Sequence, residues 1–516
     1  MAESPQNPRA NSEKKSLTGT SLVSLAVLTV LAFLVMGYHP GLEDDAFYLA
    51  AIKRNLNPAL FPHDADFFRL QFQATIFDKL IAWSIRLTHL PIAWAALLWQ
   101  LLAIFLLLFG CWRIARRCFS DAQAQWAAVA LIAVLLTLPV SGVAITLCDQ
   151  YLHPRTLATV AILAAIAEVM DRRAWRAAIL LAIAFLIHAI MAGFGISFCA
   201  FLFWSMRPGS ERKQLHMPVA AVLFPLGWMF EPGSEAWRQA ASTRSFYYIS
   251  RWHWYEWLGV FGPLLLLFAF RRFLRPRGDS PLLALVSSLL YYGAFQTVVG
   301  LAIMLPPGLE RLRPFEPMRY LHLLYLLFFL IAGGLLGRYV LKRHVYRWIL
   351  LFLPLGAGMF YAQRQMLPAT EHLELPGARP QNSWVQAFGW VRENTPVDAL
   401  FALDPHYIEF PGEDYHGFRA LAERSALADY VKDGGMAARV PRLAPRWLKE
   451  VNAQSGWQSF QAADFARLQA EFGVNWVILA RPAHKPGEDR QVEDRTGSAA
   501  MNCRYQNQQV EVCRLY

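Results

Sequence analysis

Residues 21–48 read SLVSLAVLTVLAFLVMGYHPGLEDDAFY. The stretch from Ser21 to Met36 carries no charge, and its apolar residues run continuously rather than alternating. In lipid only helices and closed barrels satisfy their backbone, and a continuous run belongs to a helix. A polar tail with Lys14 and Lys15 precedes it and no small-residue cleavage site follows. The run is therefore expected to stay as a first membrane helix rather than leave as a signal peptide. Glu43, Asp44 and Asp45 come directly after it, three carboxylates where the chain leaves the bilayer. One carboxylate is enough to cap the helix that DDAFYLAAIKRNL suggests. Three in a row leave capping and chemistry both open.

The chain has 516 residues, 55% of them hydrophobic and 17% charged, with a mean hydropathy of +0.27. Apolar runs recur as far as residue 362, the composition of a polytopic membrane protein. Spans are expected at 21–37, 92–111, 125–147, 156–170, 177–190, 192–205, 217–231, 256–270, 281–304, 320–337 and 347–362. Several fall short of the roughly 20 residues of a perpendicular crossing. The pair 177–205 is expected to turn at HAIMAGFG, where Gly193 and Gly195 weaken a helix.

The net charge of +11 has a simple source. Arg113, Arg116 and Arg117 fall in one connection, and Arg172, Arg173 and Arg176 in the next. Arg207, Arg212 and Lys213 follow, then Arg271, Arg272, Arg275 and Arg277, then Arg338, Lys342, Arg343 and Arg347. All lie on one side if the N-terminus is cytoplasmic, as the positive-inside rule requires. That distribution argues against nucleic acid as a partner. It divides the chain into a disordered cytoplasmic tail (1–20), a transmembrane domain (21–362) with a long outer loop (38–91), and an extracytoplasmic domain (363–516). Within the outer loop, FQATIFDKLIAWSIRL joins DDAFYLAAIKRNL as an amphipathic stretch suited to the membrane surface.

Residues 363–516 read as α/β. SWVQAFGWVREN has helical periodicity, while DALFALD and NWVILARP read as buried strands. The end, MNCRYQNQQVEVCRLY, reads as a hairpin whose loop at 507–509 sets Cys503 opposite Cys513. A disulfide and two unpaired thiols fit that placement equally. The chain contains no phosphate-binding Walker loop, dinucleotide fingerprint, HExxH or Gly-x-Ser-x-Gly.

Other outer segments carry candidate residues. CDQYLHPRT is short, so Asp149, His153 and Arg155 stay near the membrane surface, either as a solvated turn or as contacts to phosphate. LPPGLERLRPFEPMRY holds Arg311, Arg313 and Arg319 on the side that normally lacks such charge. Arg suits bidentate phosphate binding; pairing with Glu310 and Glu316 is the plainer alternative. STRSFYYISRWHWYEW reads first as an interfacial aromatic belt, and second as a sugar platform of Tyr247, Tyr248 and Trp252. His188 interrupts an apolar run, as a functional group or as a partner for backbone freed at a break. His63, Asp64 and Asp66 read as turn and helix-start residues.

The layout resembles the GT-C superfamily of membrane glycosyltransferases, which includes protein O-mannosyltransferases, aminoarabinose transferases and oligosaccharyltransferase catalytic subunits. Asp44-Asp45-Ala46-Phe47-Tyr48 is similar to the acidic-pair-x-x-Tyr pattern of several such families. The resemblance covers the topology of most of the chain and a handful of positions. It is nearest to uncharacterised bacterial members.

By that resemblance the chain is a mainly α bundle of about 11 transmembrane helices with a C-terminal extracytoplasmic α/β domain. It implies an inverting, GT-C-type glycosyltransferase in a bacterial inner membrane. The donor would be a sugar on a polyprenyl phosphate, and the acceptor a glycan, lipid or protein of the cell envelope. Asp44 takes the catalytic position, with Asp45 as its partner and Tyr48 at the substrate. A carboxylate there acts as base, or a divalent metal neutralises the leaving phosphate; Asp45 and Asp149 are the candidate ligands, although Asp149 lacks the adjacent second acid. The partners are the lipid bilayer, the lipid-linked donor and other envelope assembly proteins. Two rival readings keep the architecture. A transporter or flippase of lipid-linked sugars calls for paired mid-membrane charges and internal repeats, and a non-catalytic assembly component does not need Asp44.

Overall fold

The computed structural model describes residues 19–68, 73–207, 230–277, 280–481 and 501–516. Most of the expected tail and of the span 217–231, together with Arg212 and Lys213, lies outside the described residues. Helices α1 (Gly19–Met36), α4 (Ile92–Cys118), α5 (Ala122–Val134), α6 (Pro154–Met170), α7 (Ala174–Ile187) and α8 (Ala189–Ser205) stand where spans were expected. So do α10 (Trp254–Leu274), α11 (Ser280–Met304), α12 (Tyr320–Leu336) and α13 (Val345–Met366). Among the described residues, six helical stretches are long and apolar enough to cross a membrane, and α5, α7 and α8 are shorter apolar helices. Helix α12 runs through the middle of the bundle, while α13 exposes Leu350 and Leu353.

One expected span changes, and one expected turn is refined. The span 125–147 stops as a helix at Val134 and continues as a short antiparallel hairpin, β1 (Pro139–Val140) with β2 (Ile145–Thr146). Pro139 lacks the amide a helix needs and disfavours helical geometry in the residue before it. This irregular backbone is shielded by protein, with Val140, Val143 and Ile145 all buried, the condition for such backbone at membrane depth. The turn between α7 and α8 falls within HAIMAGFG as expected, at its first residue, His188, while Gly193 and Gly195 lie inside α8. His188 is extended, and its side chain accepts from the Met191 amide at 3.4 Å as the cap of α8.

The basic connections gather at one end of the bundle. Arg117 meets Asp171 at 2.5 Å, Arg113 meets Glu168 at 2.7 Å, and Arg338 meets Asp121 at 2.7 Å. The opposite end carries α2 (Asp45–Leu56), α3 (Phe77–Thr88) and α9 (Glu235–Ser242). Beyond them stand α14 (Ser383–Asn394), α15 (Phe418–Ala422), α16 (Lys432–Arg439), α17 (Ala444–Ala453) and α18 (Ala462–Phe472). Their sheet has the order β4-β3-β5-β7-β6, built from β3 (Leu400–Ala402), β4 (Ser425–Ala426), β5 (Trp476–Ala480), β6 (Met501–Gln506) and β7 (Val510–Leu515). Strand β3 runs parallel to β4 and β5, and β7 antiparallel to β5 and β6. Cys503 faces Cys513 in register and the two form a disulfide.

The outer loop and the C-terminal part share a core. Phe61, Phe67 and Phe68 of the loop pack with Trp237 and Tyr247, and with Met436 and Trp447. Tyr247 is 1% exposed, so it fills this core and has no face for a sugar. Asp64 lies in the turn that opens the short 3-10 helix Ala65–Phe68, as expected; beyond that it is fully buried, accepts from the Ala426 amide at 2.9 Å and pairs with Arg419, which also pairs with Asp433 at 2.9 Å. Gly417 lies so close to α2 that an added Cβ would stand 2.3 Å from the Ala46 Cβ.

Candidate active site

The turn that carries the three acids is held from both sides. The Gly417 amide donates to the Gly41 carbonyl at 2.9 Å, and the Glu43 amide to the Tyr415 carbonyl at 2.9 Å. The carboxylates then diverge. Asp45 is 4% exposed and turns back to accept from the Gly41 amide at 2.7 Å. Burial pushes its carboxyl up to about 7, against the lowering effect of that bond and of Lys53. Glu43 pairs with Lys432 of α16. Asp44 occupies the N-cap position of α2, but its side chain makes no capping bond. Its Oδ1 accepts from Lys432 Nζ at 3.4 Å, and its Oδ2 faces His153 Nε2 at 4.0 Å. The side chain is 27% exposed. Burial raises its carboxyl, yet Lys432, Arg244, His153 and Arg439 together hold it well below the usual carboxylate range.

The second outer segment supplies the facing wall. His153 caps α6 by accepting from the Arg155 amide at Nδ1, 2.9 Å away. In the neutral ring the proton then sits on Nε2, the nitrogen turned to Asp44. Burial and the neighbouring Arg155 push its imidazole well below the usual histidine value. Tyr48 meets the His153 ring edge-on at 4.7 Å, and burial with the Asp44 charge pushes its phenol up to about 12. Asp149 pairs with Arg155, and burial outweighs that pairing to raise its carboxyl. Arg155 is 2% exposed, yet its Nε and Nη1 have no partner among the described residues. Buried guanidinium donors left open in this way are costly unless something binds them.

Arg319 joins this cluster and the other two outer arginines do not. Arg319 pairs with Glu316 at 2.7 Å, has no partner for Nε among the described residues, and lies in the field of Asp44 and Arg155. Arg311 donates to the Glu231 and Pro232 carbonyls at 2.9 and 3.0 Å, and Arg313 stacks over Tyr248 at 5.0 Å. Three helix N-termini converge as well: α6 at His153, α8 at His188 and α12 at Arg319. The His153 and His188 rings stand 6.4 Å apart. Helix N-termini bring partial positive charge.

Lys432, Arg439 and Arg244 are additions that no local pattern announced. Arg439 pairs with Glu316 at 2.9 Å, bridging it to Arg319. Arg244 lies over Gly435, where any Cβ would stand 2.2 Å from the guanidinium. The run KDGG at 432–435 was the available signal: charge beside glycines, in a segment otherwise built for packing.

Among the described residues, Cys503, Glu511 and Cys513 place three potential metal-ligand atoms within 4.8 Å of one another. Both sulfurs there are joined in the disulfide, so neither is a thiolate. Around Asp44 the donor set is mostly cationic, and it suits an anion better than a divalent metal. A separate cleft of about 730 Å³ opens behind the acid turn, lined by Tyr38, Pro40, Glu374, Arg379 and Trp390.

No family model matches the chain, and no curated protein matches it. Among solved structures it is similar to the oligosaccharyltransferase of Archaeoglobus fulgidus in the apo form, at 12% identity and a TM-score of 0.49, covering 90% of this chain and 70% of that one. It is also similar to the oligosaccharyltransferase AglB of that organism in complex with an inhibitory peptide and a dolichol-phosphate (13%, TM-score 0.42, 89% and 69% covered). A third is the oligosaccharyltransferase of the same organism in complex with Zn and sulfate (13%, TM-score 0.43, 89% and 67% covered). With TM-scores below 0.5, these likenesses leave the function to the site's own chemistry.

Proposed function

We propose that the chain is an integral membrane glycosyltransferase that moves a sugar from a polyprenyl phosphate to an envelope acceptor on the extracytoplasmic side. The observation that carries this is the buried Arg155 guanidinium, with two open donor atoms, beside an ionised and partly exposed Asp44. Arg155, Arg319 and the convergent helix ends offer a phosphate both charge and directed donors. Asp44 offers an acceptor hydroxyl or amide a proton acceptor.

In the transfer, the acceptor loses its proton to the Asp44 carboxylate and its oxygen or nitrogen bonds to the anomeric carbon. The bond from that carbon to the phosphate oxygen breaks, and the polyprenyl phosphate leaves with the electron pair. A single displacement inverts the anomeric centre. Asp44 is a weak base in the free protein because cations surround it. An incoming phosphate competes for those cations, so donor binding itself raises the basicity of Asp44. Asp45 holds the turn instead of the substrate. Arg155 already neutralises Asp149 through its Oδ1, and no step runs through a divalent cation.

The basic bundle end, set against the site at the other end, supports a cytoplasmic N-terminus with the site facing outward. In this reading the membrane is the bacterial inner membrane. The test is transfer by the purified chain from polyprenyl-phosphate-linked sugars, with and without a chelator, to envelope glycans, lipids and proteins. Product with an inverted linkage, lost in Arg155→Gln, is the expected result. Binding of no polyprenyl phosphate by the wild type would end the proposal, and chelator-sensitive transfer would restore a metal to the site.

A further inference from the structure

Helix α16 belongs to the C-terminal part, yet both its ends reach the site beside the membrane. Lys432 and Arg439 are two helical turns apart and share one face. Lys432 is 3% exposed with its ammonium between Glu43 and Asp44. Arg439 touches Glu316, keeps a buried Nε without a partner among the described residues, and lies in the field of Asp44 and Tyr48. The helix is fixed from behind. Asp429 accepts from the Lys432 amide at 2.5 Å and the Asp433 amide at 3.2 Å. Asp433 is clamped by Arg419, which Asp64 of the outer loop also holds. Such a mount fixes where two long basic side chains are delivered, and their burial removes the screening that weakens surface charge.

We propose that Lys432 and Arg439 grip the donor phosphate from the C-terminal side, so that the phosphate site is built jointly by the membrane bundle and α16. This rests on the donor reading above and adds who completes the site. Lys432, Arg439, Arg244, Arg155 and Arg319 stand among Glu43, Asp44, Asp149 and Glu316, five cations to four carboxylates, and the excess is the charge that one phosphodiester brings. On binding, Lys432 turns from Asp44 to the phosphate, which leaves Asp44 free to take a proton.

The test uses the full chain in detergent micelles and a polyprenyl monophosphate as probe, with inorganic phosphate as the second arm. Lys432→Gln and Arg439→Gln should each weaken lipid binding about tenfold or more, the loss of one charge-assisted contact. Lys432→Arg keeps the charge and should restore most of it, with a melting temperature without lipid near wild type. Inorganic phosphate should bind far more weakly than the lipid. Wild-type affinity in both glutamine variants, with affinity lost in Arg155→Gln, would overturn this inference and leave the donor reading standing. Affinity lost only in step with a lowered melting temperature would also overturn it. Failure of the wild type to bind the lipid would remove both.

Discussion

Lys432 and Asp44 are 388 residues apart in the chain and 3.4 Å apart in space. That contact joins the acid turn to the C-terminal part and sets the charge state of the site. It also answers the question posed by three adjacent acids. Glu43 holds Lys432, Asp45 locks the turn, and Asp44 is left facing His153.

Asp44→Asn keeps size and polarity and removes the proton acceptor. Turnover should fall by about a hundredfold or more, while polyprenyl monophosphate binding persists or tightens as a nearby negative charge disappears. Transfer and lipid binding measured on the same preparation decide it. Full transfer by the variant would return Asp44 to a structural role.

Asp45→Asn should act on stability through pH. The Asp45 carboxyl is raised from about 4 to about 7 in the folded protein, so the folded state binds the extra proton between those values. Wild-type stability therefore falls as pH rises through this window, by up to about 4 kcal/mol. The asparagine variant lacks that loss. It should melt close to wild type at pH 4 and above it at pH 8; equal melting at both values would count against the assignment.

His416→Gln should show the opposite sign. His416 is fully buried and meets Glu374 at 3.1 Å, which His39 also meets at 2.8 Å. Burial lowers its imidazole, but Glu374 and Glu413 raise it to about 9. The stabilisation is complete below the unfolded value near 6.5 and disappears as pH rises through about 9, a difference of about 3 kcal/mol. The variant should be most destabilised near pH 6 and indistinguishable above pH 10. A gap that does not change with pH would mean that packing, not charge, holds this junction.

Cys503→Ser opens the disulfide at the sheet edge. The bridge closes a loop of sequence separation 10, for which chain entropy gives about 2–3 kcal/mol. Thermal unfolding of the full chain should shift down, and reduction of the wild type should reproduce the shift. An unchanged melting curve after both treatments would show that the bridge adds nothing to stability.

Local chemistry was enough to find most of the architecture. Continuous apolar runs place the membrane helices because a lipid-facing backbone has no other partner for its polar groups. SWVQAFGWVREN became α14 over Ser383–Asn394, and the hairpin loop at 507–509 put Cys503 opposite Cys513, because both depend on neighbours a few residues away. The acid turn, His153, Arg155 and Arg319 stood out because charge next to an apolar span is costly to keep.

Only the tertiary structure decided what each of those charges meets. It sent Arg319 to the site while binding Arg311 and Arg313 to the loop at 231–248, a choice that nothing in LERLRPFEPMR distinguishes. It brought Lys432 and Arg439 more than a hundred residues along the chain to Asp44 and Glu316. It buried the turn residue Asp64 against Arg419, a partner that the sequence around Asp64 does not show. Ion pairs and buried polar networks form between segments distant in sequence, and their partners depend on how the elements pack. Periodicity and composition describe a segment's own environment and carry no record of the partner.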